Sequence, residues 1–241
     1  MREELSRTGL LLGEQAMERL GRARVALFGV GGVGGYALEA LARSGIGQLD
    51  LIDNDCFSRS NLNRQILATQ STVGRSKVEV AKERVLQINP QAIVRTYPIF
   101  YTPETADQLD FTCFSYVIDA IDTVSGKLSL IERAYRAGPP VISCMGTGNK
   151  LDPTAFRVSD LSKTSMDPLA RVMRRELRSL GIRHLKVLFS PEEPAPTTQL
   201  EAPPPGRRSV PASVPWVPSC AGLMMAGAVV QDLVAEGEVQ P

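Results

Sequence analysis

The residues of this chain most suited to chemistry are four glycines, because closely spaced glycines let backbone N–H groups meet an anion. Gly29, Gly31, Gly32 and Gly34 follow a short apolar run and precede an alanine-rich stretch. That order predicts a buried strand, a tight turn and a helix, and the helix N-terminus directs unpaired N–H groups and its positive dipole end at the turn. We therefore expect a nucleotide phosphate at this turn.

A carboxylate follows the next predicted strand, which covers residues 48–52. Asp53 stands 24 positions after Gly29, and in nucleotide-binding folds a carboxylate at this place accepts hydrogen bonds from ribose hydroxyls. The glycines alone also fit an ordinary turn between a strand and a helix. The strand, the helix and Asp53 together predict a ligand that carries ribose and phosphate.

Two further polar features accompany this pattern. Residues 54–65 are too polar for a core element and are rich in side chains that bind phosphate, ribose or metal. Lys77 stands in the first turn of a helix predicted over residues 74–89, and a helix N-terminus disfavours a cation. We therefore expect an anion beside Lys77.

The elements that must position these residues alternate along the chain. The predicted strands cover residues 25–28, 48–52, 92–97, 116–118 and 140–144, and further helices are predicted at 102–109 and 125–137. This alternation predicts an α/β fold with a Rossmann-like, doubly wound and mostly parallel sheet. Ligands of such sheets bind beyond the carboxyl ends of the strands, where we expect Asp53, Asp122 and Gly146 to meet.

We predict a single domain over residues 1–241. An amphipathic lead-in helix (1–23) packs on the sheet or on a second subunit, and the nucleotide-binding core covers 24–153. The C-terminal annex (154–241) contains a strand at 154–159, a basic helix at 167–180, a mobile loop at about 190–212 and an apolar last helix at 221–234. The loop is expected to be mobile because it is rich in proline and poor in long apolar runs.

Composition excludes several classes of protein. The net charge of +1 gives no overall field that recruits nucleic acid or membrane, so RNA contact requires a local patch. The four cysteines are widely spaced and form no C-x-x-C pair, which argues against a structural zinc and a secreted disulfide scaffold. No signal peptide or membrane-spanning run is evident, so we expect a cytoplasmic protein without stable membrane insertion.

These residues, with Asn61-Leu62-Asn63-Arg64-Gln65 and the Asp119-Ala120-Ile121-Asp122 run, resemble the ThiF/MoeB/HesA family, which is related to the ubiquitin-activating enzymes. The resemblance covers about residues 5–160 and a closing segment at 218–222. It implies an enzyme that uses ATP and Mg²⁺ to adenylate a carboxylate.

The same resemblance implies a role for each site residue. Arg64 and Lys77 hold the phosphates, Asp122 carries Mg²⁺, and Asp53 binds the ribose. Arg7 reaches across a homodimer interface toward the ATP of the other subunit. The remaining members of the expected ATP site are Gly29, Gly31, Gly32, Gly34, Asp55, Asn61 and Gln65.

Two features of this chain differ from the sulfur-carrier activators of this family and point to another of its branches. The chain lacks the paired zinc cysteines of sulfur-carrier activators, and neither Cys144 nor Cys220 stands on a loop suited to accept an acyl group. Segments 7–13 and 145–153 instead look like the TcdA (CsdL) branch, the tRNA threonylcarbamoyladenosine dehydratases. That likeness implies that ATP activates the threonyl carboxylate of the modified adenosine in tRNA. The neighbouring carbamoyl group then closes on the acyl-adenylate, with no cysteine required.

Other functions stay open at this point. An adenylyltransferase for a ubiquitin-like sulfur-carrier protein shares the ATP chemistry. An NAD-dependent oxidoreductase shares the glycines and Asp53, and a non-catalytic scaffold shares nucleotide binding. A sulfurtransferase-system partner and a membrane contact of the last helix are further open questions.

For tRNA, the sequence offers one basic helix face. Spacings of three and four place four arginines on one side of the predicted helix: Arg171, Arg174, Arg175 and Arg178. The residues that extend this face are Arg183, His184 and Lys186. A solvated face without a partner fits equally well, and RNA contact then moves to Arg207 and Arg208 in the proline-rich loop.

Overall fold

The fold is built on one seven-stranded sheet, seen in a computed structural model that describes residues 2–198 and 210–235. In chain order the strands are β1 (Arg24–Phe28), β2 (Gln48–Ile52), β3 (Ile93–Tyr97), β4 (Tyr116–Asp119), β5 (Val141–Cys144), β6 (Arg157–Asp160) and β7 (Lys186–Phe189). Their spatial order is β3-β2-β1-β4-β5-β7-β6. Neighbouring strands are parallel except β6, which is antiparallel to β7. The predicted doubly wound, mostly parallel sheet is confirmed.

Helices cover both faces of this sheet. They are α1 (Ser6–Leu12), α2 (Glu14–Arg22), α3 (Gly34–Arg43), α4 (Lys77–Ile88), α5 (Val124–Ala137), α6 (Pro168–Ser179) and α7 (Trp216–Ala235). One core cluster joins the sheet to α2, α3, α4 and α7, and the other joins it to α5, α6 and the aromatic residues of segment 101–114. Because both faces are covered, the central strands bury apolar side chains on both sides; in β1, Val25 and Leu27 enter the first cluster and Ala26 and Phe28 the second.

The lead-in segment differs from the single helix predicted over residues 1–23. Gly13, with φ of +82°, separates α1 from α2. On α2, Ala16 and Leu20 are buried as their spacing predicted, whereas Leu10 and Leu11 on α1 are each 85% exposed. Leu10 and Leu11 therefore do not pack on the core of their own chain, whereas Leu12 is partly buried against the first core cluster.

Two other local predictions were too long. The helix predicted over residues 102–109 is a single 3-10 turn at Ala106–Gln108. The Thr105 hydroxyl accepts from the Thr102 N–H at 2.9 Å and donates to the Phe100 carbonyl at 2.9 Å, and such side-chain bonds compete with helix formation. Similarly, Asp152 caps a 3-10 turn at Pro153–Ala155, so β6 starts only at Arg157 rather than at 154.

Strand β7 was not predicted from the sequence. It lies between β5 and β6, where it completes the sheet and buries Val187 and Leu188. Lys186 opens this strand, and its Nζ lies 2.6 Å from Oδ1 of Asp232 on α7. Lys186 therefore belongs to an ion pair between the sheet and α7 and is not an extension of the basic face.

Helix α7 is longer than predicted and is long and apolar enough to span a membrane by length and composition alone. Half of its most apolar 18-residue stretch is buried inside the protein, where α7 packs against α3. A Cβ at Gly222 would overlap the Val33 carbonyl oxygen, so the backbones of α7 and the glycine turn are in direct contact. These contacts are those of a core helix.

A buried ion pair joins β4, β5 and α5. Asp119, at the end of β4, is fully buried, and Lys127 on α5 is 1% exposed. The Lys127 ammonium donates to Asp119 Oδ2 at 3.0 Å and to the Cys144 carbonyl at 2.8 Å, while the Ser143 hydroxyl donates to Asp119 Oδ2 at 2.5 Å. Since every member has partners, the network can hold the ends of two strands at a fixed separation.

The Lys127→Met variant is expected to unfold at a lower denaturant concentration, because it leaves the Asp119 carboxylate buried without its cation. Breaking a buried pair in this way costs about 3–5 kcal/mol. Chemical denaturation of the single variant and of Asp119→Asn/Lys127→Met measures this cost, and the double variant should recover part of it. A single-variant loss below about 1 kcal/mol would match an exposed pair and contradict the expectation.

Candidate active site

A cleft of about 660 Å³ lies at the carboxyl ends of the strands. It is lined by all of the predicted ATP-site residues except Arg7 and Gly34, and Gly146, which was expected at the same edge, is not among the lining residues. A smaller cavity of about 410 Å³, lined by Arg2, Gln48 and Asn89 among others, lies where β2 and β3 begin. The crevice at the carboxyl ends is thus where the sequence predicted it, and its size suits a nucleotide-sized ligand.

The glycine turn forms the floor of the cleft between β1 and α3. Gly29 has φ of +91°, which strains a side chain, and a Cβ there would lie 2.6 Å from the Ala120 carbonyl oxygen. Gly34 begins α3, and a Cβ there would overlap the Gly29 carbonyl oxygen. Gly34 therefore does not line the cleft but allows the helix N-terminus to approach the turn.

Asp53 links the end of β2 to this turn. Its Oδ2 accepts from the Val30 N–H at 2.7 Å, and its Oδ1 accepts from the Asp55 N–H at 2.9 Å. The side chain is 10% exposed. An ionised carboxylate has about four acceptor positions, so Asp53 keeps capacity for ribose hydroxyls while it holds the turn.

Lys77 is the first residue of α4 and is 7% exposed. Its Nζ donates to Asp55 Oδ2 at 2.8 Å and lies 3.8 Å from Asp53 Oδ2. The anion expected beside this lysine is therefore present within the chain itself. Because the Asp55 side chain is 62% exposed, it can turn toward solvent and release the ammonium to a phosphate.

The segment after Asp55 places three side chains at the cleft. Asn61 Oδ1 accepts from the Ser58 N–H at 3.1 Å and so shapes the loop. Arg64 Nη1 donates to the Ser60 carbonyl at 2.9 Å, and its guanidinium keeps further donors. Gln65 is 7% exposed, and its Oε1 has no hydrogen-bond partner among the described residues. A buried acceptor without a donor is costly, so a donor from a ligand would stabilise it.

Asp122 follows β4 by three residues and is exposed at the cleft. Fully buried Asp119 fixes the start of this turn, since its Oδ1 accepts from the Ile121 N–H at 3.3 Å. From the sequence, Asp119 is recognised only as part of a motif, and its pairing with Lys127 is not predicted. The sequence does contain a sign of this buried pair. Lys127 stands three residues before Leu130 and four before Ile131, so helical spacing places it on the apolar, inward face of the predicted helix.

Arg7 lies outside the cleft of its own chain. It is exposed on α1 and is not among the residues that line this cleft. Its neighbours Leu10 and Leu11 are largely exposed as well. The predicted role of Arg7 in a second subunit stays a prediction.

A profile of the ThiF family matches residues 5–240. The chain belongs to the ThiF family. It is 42% identical to a tRNA threonylcarbamoyladenosine dehydratase of Bacillus subtilis, over 100% of this chain and 98% of that protein. An Escherichia coli protein of the same name is 44% identical over 74% of this chain and 66% of its own length.

Solved structures agree with this assignment. The E. coli tRNA N6-threonylcarbamoyladenosine dehydratase TcdA in complex with ATP superposes with a TM-score of 0.89 at 35% identity. The match covers 100% of this chain and 97% of that one. The complex of the same enzyme with AMP gives a TM-score of 0.88. The resemblance stated from the sequence is confirmed.

Cys144 of this ThiF-family chain is unsuited to an acyl relay. All four cysteines are free, and burial raises the pKa of the Cys144 thiol to about 12. Cys144 is therefore a protonated thiol at neutral pH and a poor nucleophile. In the described part of the chain, no three His, Cys, Asp or Glu residues are grouped so that they could hold a metal ion.

The basic face of α6 is smaller than the sequence suggested. Arg174 points inward, where its Nη1 donates to the Thr164 carbonyl at 2.7 Å and to the Thr164 hydroxyl. Arg175 pairs with Glu176 at 2.5 Å. Arg171 and Arg178 are exposed and stay candidates for RNA contact. Arg207 and Arg208 lie outside the described residues.

Gly34→Ala is expected to destabilise the protein by about 3 kcal/mol or more, since overlap with backbone cannot be relieved by a side-chain movement. Gly31→Ala is the matched control. At position 31 the nearest atom to a Cβ is Gln65 Nε2 at 3.9 Å, so stability should change by no more than about 1 kcal/mol. Chemical denaturation of both variants measures the difference, and equal stabilities would contradict the close approach at Gly34.

Proposed function

We propose that this ThiF-family protein is an ATP-dependent tRNA threonylcarbamoyladenosine dehydratase. The observation that carries the proposal is the 42% identity to the B. subtilis enzyme of that name over 98% of its length. Similarity of that extent includes the C-terminal annex as well as the nucleotide-binding core. We further propose that the enzyme acts in the cytoplasm, where a tRNA substrate is present.

The reaction has two steps. In the first, an oxygen of the threonyl carboxylate attacks the α-phosphorus of ATP, and pyrophosphate leaves. In the second, the carbamoyl group of the same modified adenosine attacks the activated carbonyl, and AMP leaves with the former carboxylate oxygen. The product is the cyclised base, and neither step uses a thiol.

The cleft residues divide the recognition of ATP among them. The glycine turn and the N-terminus of α3 receive phosphate oxygens, and Asp53 receives the ribose. Lys77 and Arg64 neutralise the charge that develops at the α-phosphorus, and charge stabilisation of this kind dominates phosphoryl chemistry. Asp55, Asn61 and Gln65 complete the walls of the cleft.

Asp122 would hold Mg²⁺ together with the nucleotide. Mg²⁺ in nucleotide sites is bound by one or two carboxylates, phosphate oxygens and water. One exposed carboxylate at the cleft fits that donor set. The ion supplies further charge neutralisation at the phosphates, and the chain itself orients the carboxylate through the turn that follows Asp119.

Lys77→Ala and Asp122→Asn are expected to remain folded and to lose roughly a hundredfold or more in rate, because each removes charge stabilisation at the reacting phosphate. The measurement is release of pyrophosphate with threonylcarbamoyladenosine-containing tRNA, ATP and Mg²⁺, with the cyclised base identified by mass spectrometry. Lys82→Ala on the same helix is the control and should keep full activity. Wild-type rates in either site variant would refute the assigned roles.

Incubation of the protein with other substrates separates the alternative functions. Adenylation of a carrier protein that ends in Gly-Gly, with no reaction of tRNA, would establish the sulfur-carrier adenylyltransferase instead. Reduction of NAD would establish an oxidoreductase. Burial of Cys144 and the presence of Arg64, Lys77 and Asp122 in one cleft favour the tRNA reaction. A sulfurtransferase-system protein is not needed for either step.

The enzyme is further proposed to act as a homodimer in which Arg7 completes the cleft of the other subunit. Support comes from α1, where exposed Leu10 and Leu11 accompany exposed Arg7. Exposed apolar side chains of this size commonly mark an interface.

Mixing Arg7→Ala chains with Arg64→Ala chains is expected to restore part of the activity that each variant lacks alone. In the mixed dimer one cleft receives an intact Arg64 from its own chain and an intact Arg7 from the other. Activity of the mixture is compared with that of the separate variants at equal total concentration, and sedimentation gives the oligomeric state. A fully active monomer, or a mixture no more active than its components, would refute the shared site.

A further inference from the structure

Asn149 holds the two described ends of the proline-rich segment. Its N–H donates to the Ala212 carbonyl at 2.8 Å, and its Oδ1 accepts from the Ala212 N–H at 2.7 Å. Its carbonyl accepts from the Ala195 N–H at 2.7 Å. Asn149 has φ of +59°, a left-handed conformation that asparagine tolerates better than most residues with a side chain. Asn149, five residues after the end of β5, thus fixes segments that are far apart in sequence.

Residues 210–213, here called the cleft wall, line the cleft together with Thr147 and Gly148. A Cβ at Gly148 would lie 2.8 Å from Cβ of Pro211, so the wall packs directly on the backbone of Gly148. The position of this part of the cleft therefore depends on residues 148 and 149.

The cleft wall is also hydrogen-bonded to the segment that carries Arg64. Asn63 Nδ2 donates to the Ser213 carbonyl at 3.0 Å, and Asn63 Oδ1 accepts from Arg64 Nη1 at 2.9 Å. Asn63 thus contacts the wall with one end of its amide and the guanidinium with the other. Asn149 and Arg64 are therefore joined through Asn63 and through the adjacent wall residues Ala212 and Ser213.

We propose that Asn63 and Asn149 are positioning residues for ATP binding: Asn149 fixes the cleft wall, and Asn63 transmits the position of the wall to the Arg64 guanidinium. Neither has to touch the nucleotide. A long arginine side chain loses conformational entropy when it is ordered by a ligand, and the loss is smaller if the protein has already restricted it. The inference rests on the proposed function only in taking Arg64 as a phosphate ligand.

The test is the affinity for ATP with Mg²⁺, measured by calorimetry on the full chain without tRNA. Asn149→Gly keeps the left-handed backbone and removes the acceptor for the Ala212 N–H, and one such hydrogen bond corresponds to about a fivefold weaker affinity. Asn149→Asp keeps an acceptor and is expected to stay near the wild-type value. Asn63→Ala is expected to weaken ATP binding at least as much as Asn149→Gly.

A double variant tests whether the two residues act through the same path. Asn63→Ala/Asn149→Gly is expected to bind ATP no more weakly than Asn63→Ala alone, because the wall no longer reaches Arg64. Glu192→Ala is the structural control. Its carboxylate accepts from the Leu151 and Asp152 N–H groups, close to Asn149 but with no hydrogen bond to the wall, so ATP affinity should not change.

Three results would overturn the inference: wild-type affinity in Asn149→Gly, additive losses in the double variant, or an equal loss in Glu192→Ala. Failure of the proposed function looks different. Wild-type protein would then bind ATP but leave modified tRNA unchanged, and the comparison of ATP affinities would still decide whether Asn63 and Asn149 position the site.

Discussion

The close backbone contact at the end of β1 is the constraint on which the rest of the structure depends. Gly34 lies against the Gly29 carbonyl, and Gly222 lies against the Val33 carbonyl. These contacts bring the N-terminus of α3 to the turn and pack α7 directly behind it. Since any side chain at Gly34 or Gly222 would overlap backbone, the core of the fold and the floor of the cleft are set by the same atoms.

Charged groups of the site hold one another before any ligand arrives. Asp53 accepts from the Val30 N–H, and Lys77 donates to Asp55, so both residues stabilise the turn and the loop that they belong to. Below them, Lys127 neutralises the buried carboxylate that precedes Asp122. These contacts hold Asp53 and the Lys77 ammonium at the cleft. In the proposed reaction Asp55 releases the ammonium, and the phosphates of ATP take the place of its carboxylate.

The C-terminal annex takes part in the site rather than forming a separate unit. Strand β7 completes the sheet, α7 packs behind the glycine turn, and residues 210–213 line the cleft. The similarity to the B. subtilis relative extends through the same region. Whether the proline-rich segment is mobile stays a prediction, because residues 199–209 lie outside the described part of the chain.

The sequence by itself determined the alternating fold, the glycine turn, and the gathering of Asp53 and Asp122 at one edge. These follow from local periodicity and from the rule that parallel strands end at a common crevice. Only the tertiary structure decided that Arg174 points inward, that Leu10 and Leu11 are exposed, that β7 enters the sheet, and that Asn63 and Asn149 reach the cleft wall. The physical reason is distance along the chain. The hydrogen bonds of Asn149 to Ala212 and of Asn63 to Ser213 join residues 63 and 150 positions apart, and no local pattern encodes contacts that exist only once the whole chain has packed.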